Sequence, residues 1–264
     1  MTTNLMIGLP SLTDSPTSGI STSGTFETGR PVTNLLSGGR SRLGRLSAAS
    51  TGFTVTFNTG SVATRTLDFL FVGRANILKS MGATRLKLAG NLSGDICGVS
   101  TTLQSLALVG RYAQDALFTS ELANSPVGAL SNTTLNQSYI LTIGQSGVDP
   151  SKKWALSQVM FGQWFDFGRD PERESSRWSF DSDPGQREVA TLFTFTWKGI
   201  TKQVKDSAVA SITRYREKGC ILYTRDYHST LLERRVVHAL VDAYEVHYRA
   251  EGVYDMTIRF REQI

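Results

Sequence analysis

The sequence predicts a mainly β protein made of two tandem antiparallel β-domains behind an extended arm, and three observations carry that prediction. Apolar residues recur with a period of two in one segment after another. The segments are separated by turns rich in Gly, Asn and Ser, in a chain with 24 glycines among 264 residues. One stretch, residues 201–218, has a helical period instead. The length favours two cores over one.

Residues 1–33 read as an extended Ser/Thr/Gly-rich arm. Residues 11–30 are mostly Ser, Thr, Gly and Pro, a composition too polar to build a core of its own. Such a segment is expected to be ordered by lying against a partner chain.

Residues 34–150 read as a β-sandwich. Phe53, Val55 and Phe57 alternate with Thr54 and Thr56, the pattern of a half-buried strand. Gly60 and Ser61 are read as a turn before a more apolar strand over residues 66–72. Leu86 and Leu88 alternate with Arg85 and Lys87, and the runs 105–109 and 139–143 add two further strands. Short strands between Gly, Asn and Ser turns point to an antiparallel sandwich.

Residues 151–264 read as a second β-domain with one helix. This part carries 34 charged residues against 17 in the first 150, and Gly147, Asp149 and Pro150 mark the change. Phe193, Phe195 and Trp197 alternate with threonines. In the helix, Thr201 is the predicted N-cap, and Val204, Ala208, Ile212 and Tyr215 share one face. Gly219 is the predicted left-handed residue beyond its end. A strand over 220–224 follows, then one over 235–248, a turn at Gly252, and a closing strand. There Tyr254, Met256, Ile258 and Phe260 alternate with polar residues, the cleanest period-two signal in the chain.

Composition limits the function classes. Hydrophobic residues are 40% and charged residues 19%, the latter below the globular average of roughly 25%. Low charge fits a β-protein that hides surface against neighbours. The net charge of +5 is mild. The densest basic run, Arg40, Arg42 and Arg45, has no aromatic residue beside it to stack a base. No nucleic-acid partner is expected, and these arginines are expected to pair with acidic groups on a neighbouring strand or subunit. The segment after Met1 lacks a basic start and a long apolar run, so no secretory leader is expected. No window approaches about 18 apolar residues, so no membrane span is expected. Cys97 and Cys220 do not make a disulfide framework, and each is expected to act as a small apolar residue.

No catalytic constellation holds together. Residues 144–147 lack the second Gly of a nucleophile elbow, since Val148 stands in its place. His238 and His247 are nine residues apart, on opposite faces of a strand if it runs unbroken. With His228 they make no zinc spacing. Asp166, Asp170, Glu172 and Glu174 alternate with Arg169, Arg173 and Arg177, which points to ion pairs within a loop or between subunits and not to acid–base work. Residues 181–185 lack the later ligands of a calcium loop and read as a turn. No cofactor or metal site is expected, and no enzymatic activity. Trp164 and Trp178 are the candidate aromatic platform for a host glycan, were one bound.

The order of elements carries a resemblance. Residues 33–37, a Gly/Arg loop, residues 53–60, residues 67–73 and then Ala75-Asn76 resemble discoidin-like (galactose-binding-like) β-sandwich modules. The sugar-binding members carry an aromatic and Arg/His cluster on their loops, which is not evident here, so a scaffold role is implied. The segments 162–168, 193–199, 201–218, 220–226 and 258–262 resemble, in their order, the tail and baseplate structural proteins of tailed bacteriophages. That resemblance implies a virion protein of the tail, baseplate or collar, assembled in the host cytoplasm. Its partners would be copies of itself in a symmetric oligomer and other tail proteins. The alternative function is a receptor- or carbohydrate-binding module at the tail tip.

Overall fold

The computed structural model describes residues 5–11, 19–36, 42–73, 85–92, 94–99, 116–119, 134–144, 153–172, 177–181, 190–216, 218–224 and 236–263. It is mainly β with one helix, its strands joined in antiparallel sheets. The chain divides into two compact units, one of Pro10–Gln163 and one of Met1–Leu9 together with Trp164–Ile264. The N-terminal segment is therefore not a separate arm: its first strand, β1 (Leu5–Leu9), belongs to the same unit as the C-terminus. Leu5, Met6 and Ile7 supply the apolar side chains that residues 11–30 lack.

The Pro10–Gln163 unit is a sandwich. One sheet has the order β2 (Ile20–Thr22), β4 (Gly52–Arg65), β9 (Thr134–Gly144), β6 (Arg85–Gly90) and β7 (Gly94–Val99). The facing layer contains β8 (Ala116–Thr119), β5 (Phe69–Gly73) and β11 (Gln158–Phe165). A short pair, β3 (Gly44–Arg45) with β10 (Ala155–Leu156), completes it. Alternation places Phe53, Val55 and Phe57 of β4 and Tyr139, Leu141 and Ile143 of β9 on one inner face. They meet Leu70, Val72, Val159 and Phe161 from the other layer. Phe57 and Phe161 pack edge to face at 5.2 Å between ring centroids. Trp154 is buried here and donates its indole N–H to the Ser50 carbonyl at 2.9 Å.

Two sequence expectations change in this unit. Gly60 and Ser61 do not turn the chain between strands: they lie inside β4, where its register with β9 shifts between Asn58 and Ala63. Gly60 takes φ +88° there, a left-handed conformation open to glycine. The structural break also comes later than Pro150, because Trp154, Leu156 and most of β11 belong to the sandwich. The run 105–109, Ala75-Asn76 and the residues 145–152 lie outside the described residues.

The second unit is one antiparallel sheet with a helix on it. Its strands are β12 (Arg177–Asp181), β13 (Ala190–Thr201), β16 (Val253–Glu262), β15 (Val236–Ala250), β14 (Cys220–Thr224) and β1, in that spatial order. β1 pairs with β14 from Leu5↔Thr224 to Gly8↔Ile221. The helix α1 (Lys202–Tyr215) begins at Thr201, whose hydroxyl accepts from the Val204 N–H at 3.4 Å. It ends short of Gly219, which has φ +84°. Ala208, Ile212 and Tyr215 face inward, on the stripe the sequence predicts. They cover Phe195, Trp197, Met256, Ile258 and Phe260, the apolar face of the sheet. The expected strands at 193–197, 220–224 and 254–260 are all present.

Candidate interaction surface

The longest hairpin of the second unit, β15–β16, is the candidate site. Gly252 with φ +71° turns the chain between its strands. In β16, Met256, Ile258 and Phe260 are buried and Arg259 is exposed, as alternation requires. The partner strand is less regular. Val241 lies opposite Phe260 and Ala243 opposite Arg259, so Asp242 is an extra residue, a β-bulge. A second shift leaves Arg249 extra between Tyr248 and Ala250.

The first bulge decides which side chains β15 presents. Before it, Ala239 and Val241 point into the core. Unbroken alternation would next send Ala243, Glu245 and His247 inward. The added residue shifts the phase, so Tyr244, Val246 and Tyr248 lie opposite Ile258, Met256 and Tyr254 on the core-side face. Glu245 and His247 are thereby kept on the other face. The bulge is clasped by two arginines: Arg216 Nη2 donates to the Asp242 carbonyl at 3.0 Å, and Arg259 Nε to Asp242 Oδ2 at 2.6 Å.

Toward its tip the hairpin's apolar stripe emerges into solvent. Tyr244 is 37% and Tyr248 69% exposed, two of the few large hydrophobic side chains left open among the described residues. Tyr248 meets Tyr254 edge to face at 5.8 Å. Lys205 of α1 places its Nζ 4.7 Å from the centre of the Tyr254 ring. The hydrogen bond from Lys205 to Asp206 raises the Lys205 pKa, so this ammonium stays charged beside the ring.

The opposite face of the same tip is charged. Asp255 Oδ1 accepts from the Gly199 N–H at 2.8 Å and lies 3.8 Å from Arg249 Nη1. Gly199 has φ +68° and sits where β13 shifts register between Trp197 and Ile200. The neighbouring Lys198 pairs with Glu172 at 2.7 Å, and that hydrogen bond raises the lysine pKa. The Arg169 guanidinium donates to the Lys198 carbonyl.

The edge of β15 completes the surface. β14 covers it only from Val236 to Ala239. Among the described residues, no strand pairs with that edge from Leu240 to Ala250. An open edge offers a row of backbone donors and acceptors to another strand.

The candidate residues from the sequence distribute unevenly. Arg169 and Glu172 both meet Lys198, Arg169 at its backbone carbonyl and Glu172 at its ammonium, so this ion pair joins Glu172 to a lysine of β13 and not to an arginine of its own loop. Asp166 instead caps its own turn, accepting from the Gly168 N–H at 2.7 Å, and Asp170 Oδ1 accepts from the Leu5 N–H at 3.4 Å. In the sandwich unit, Arg45 lies 3.8 Å from Glu27, and Lys153 lies 3.1 Å from the same carboxylate. The hydrogen bond from Lys153, with Arg45 and Arg30 near, holds the Glu27 pKa below its ordinary value. Arg42 is exposed. Arg40, Arg173, Glu174, His228 and residues 182–185 lie outside the described residues, as do the side chains of Cys97, Arg177 and Trp178.

Trp164 is not an open platform: it is half-buried and stacked on Tyr223 at 5.8 Å. Among the described residues, the exposed aromatic side chains are those of Tyr244 and Tyr248, which sequence reading passed over. Their signal was present, in the broken alternation of residues 239–248. The bulge also reverses one expectation about histidine. His238 and His247 fall on the same face of β15, yet nine residues of strand hold them roughly 30 Å apart. No group of His, Cys, Asp and Glu among the described residues is placed to hold a metal ion. No helix among them is long and apolar enough to cross a membrane. Beneath α1, an apolar cavity is lined by Ile7, Phe165, Ile212 and Phe260.

No protein-family model matches the sequence, and no curated protein matches it either. Solved structures give distant likenesses. A GH29 fucosidase of Ruminococcus gnavus in complex with fucose superposes at a TM-score of 0.40 with 10% identity, over 58% of this chain. The matched part is only 26% of the fucosidase, so this chain corresponds to about a quarter of that protein. Chitosan-binding module 1 of a chitosanase/glucanase from Paenibacillus sp. IK-5 gives 0.38 with 8% identity, over 56% of this chain and 97% of the module. The module CpGH89CBM32-6 of Clostridium perfringens gives 0.36 with 7% identity, over 59% and 98%. Likenesses at this level establish neither a family nor a ligand for this chain.

Proposed function

We propose that this protein is a non-enzymatic structural component of a tailed-phage virion, a tail or baseplate/collar protein that forms a symmetric oligomer and connects tail parts. It is assembled in the host cytoplasm and works in the particle. The observation that carries the reading is the β15 edge, which no strand among the described residues covers from Leu240 to Ala250 and which is flanked by an exposed Tyr244–Tyr248 stripe. A long bare edge beside exposed aromatic residues is a liability in a freely diffusing protein and an asset in one covered by neighbours. The order of elements from residue 162 onward, with its resemblance to tail and baseplate proteins, gives the assembly its kind.

The test is genetic. A nonsense mutation in the gene should leave particles that lack a completed tail, and supplying the protein in trans should restore them. Complete, infectious particles made without it would refute the reading.

A second reading, a carbohydrate-binding module at the tail tip, has one observation in its favour. Exposed Tyr248 with the half-buried Tyr254 and Lys205 makes an aromatic and cationic patch of the kind that stacks on a sugar ring. Glycan binding that is lost in Tyr248→Ala, with assembly intact, would favour it.

A further inference from the structure

We infer that the open edge of β15 pairs antiparallel with the same edge of a second copy, about a two-fold axis through His247. The inference rests on the reading of the chain as an assembly component and names the contact it makes.

The sequence around His247 is complementary to itself when reversed. Residues 245–249 run Glu, Val, His, Tyr, Arg. In an antiparallel pair centred on His247, Glu245 of one copy lies opposite Arg249 of the other, and Val246 opposite Tyr248. Each pairing occurs twice, because the interface is isologous. Directly opposed residues share a face of the sheet, so both ion pairs form on the charged face and both Val–Tyr contacts on the aromatic face. Opposite charges and aromatic–β-branched pairs are the cross-strand combinations that stabilise a ladder.

The residues concerned are available. The Glu245 side chain is 72% exposed and that of Arg249 58%. Their present partners are loose: His247 Nε2 lies 3.5 Å from Glu245, and Arg249 Nη1 3.8 Å from Asp255. The bulge at Asp242 gives the pairing its sidedness, since it puts Tyr244, Val246 and Tyr248 on one face and Glu245 and His247 on the other. Arg249, extra in the ladder with β16, turns its guanidinium to that second face, where it lies beside Asp255. It also bends the edge where β14 stops covering it, which confines docking to the stretch beyond. The pairing would cover Tyr248, the more exposed of the two tyrosines.

A charge-swap experiment on the full chain tests both the contact and its register. The mass of the purified protein is measured over a dilution series for the wild type, for Glu245→Arg, for Arg249→Glu and for an equimolar mixture of the two variants. Each variant alone places like charges opposite each other and should lose the dimer. In a heterodimer of the mixture, the two substituted positions face each other with opposite charges, and the native Arg249 of one copy faces the native Glu245 of the other. The mixture should therefore regain the dimer. A thermal transition like that of the wild type confirms that the variants fold. A wild type that stays monomeric, single variants that still associate, or a mixture that stays dissociated would each overturn the inference. If the chain is required for tails and yet monomeric in solution, the edge pairing is wrong and the assembly role stands. If the dimer forms as described but no particle contains the chain, the edge pairing stands and the assembly role is wrong.

Discussion

Arg259 donates its Nε to Asp242 Oδ2 at 2.6 Å, across the ladder at the residue that β15 carries in excess of β16. That contact holds the point at which the strand changes phase. Its own strength is modest, since the pair is partly exposed and such pairs contribute about 0–1 kcal/mol. The inserted residue matters more than its carboxylate. Asp242→Ala should therefore lower stability by no more than about 1 kcal/mol. Deleting residue 242 should drive Glu245 and His247 toward the core and unfold the second unit. Chemical denaturation of the two variants checks this, and similar losses in both would show that the phase change is unimportant.

The strand β1 makes the N-terminus part of the second unit. Leu5 and Ile7 are buried in its core, and β1 pairs with β14 over four residues. Removing residues 1–9 should lower the melting temperature of that unit and expose the β14 edge. Ile7→Ala alone should cost about 2–5 kcal/mol, the usual range for a truncated core aliphatic. A truncated chain with an unchanged melting curve would show that β1 is dispensable.

The closing strand offers a clean contrast of faces. Ile258 is fully buried, whereas Thr257 points the other way and shares a 2.9 Å hydroxyl contact with Thr196. Ile258→Asp buries an unpaired charge, at a cost of several kcal/mol, and should prevent folding of the unit. Thr257→Asp should leave a cooperative transition. Circular dichroism during thermal melting separates the two, and equal damage would mean that β16 is buried on both faces.

Cys220 should be chemically silent. Burial pushes its thiol up to about 12 from an ordinary 9.0, and its Sγ sits 3.5 Å from the Ala239 carbonyl. The folded state holds this proton more tightly than the unfolded state, so the contribution to stability is complete below about pH 9. It should decline as the pH climbs from there toward 12. At neutral pH a thiol reagent should modify Cys220 only after denaturant is added. Modification by mass spectrometry at the rate of a free thiol in the native protein would contradict this.

Much of the fold was legible because one physical signal, alternation against a single core face, governs it. Residues 53–57, 193–197 and 256–260 each bury every second side chain, and each lies in a strand as predicted. The helix was legible from its cap and stripe. What local pattern could not reveal was pairing at long range. Nothing near residues 5–9 indicates that they join a strand some 215 residues later. The bulges hid for a related reason: an extra residue looks like a break in alternation, and only the partner strand shows that the face is kept. That is why residues 239–248 looked mixed and why Tyr244 and Tyr248 were missed, while Trp164, prominent in the sequence, turned out to stack on Tyr223.

The assembly role itself is tested most directly by asking whether the protein is part of the particle. Virions purified through a density gradient can be digested and this chain quantified against other virion proteins by mass spectrometry. The account predicts a fixed copy number per particle, a small multiple set by the tail's symmetry, that survives a salt wash. A chain present in the infected cell but absent from washed particles would contradict it.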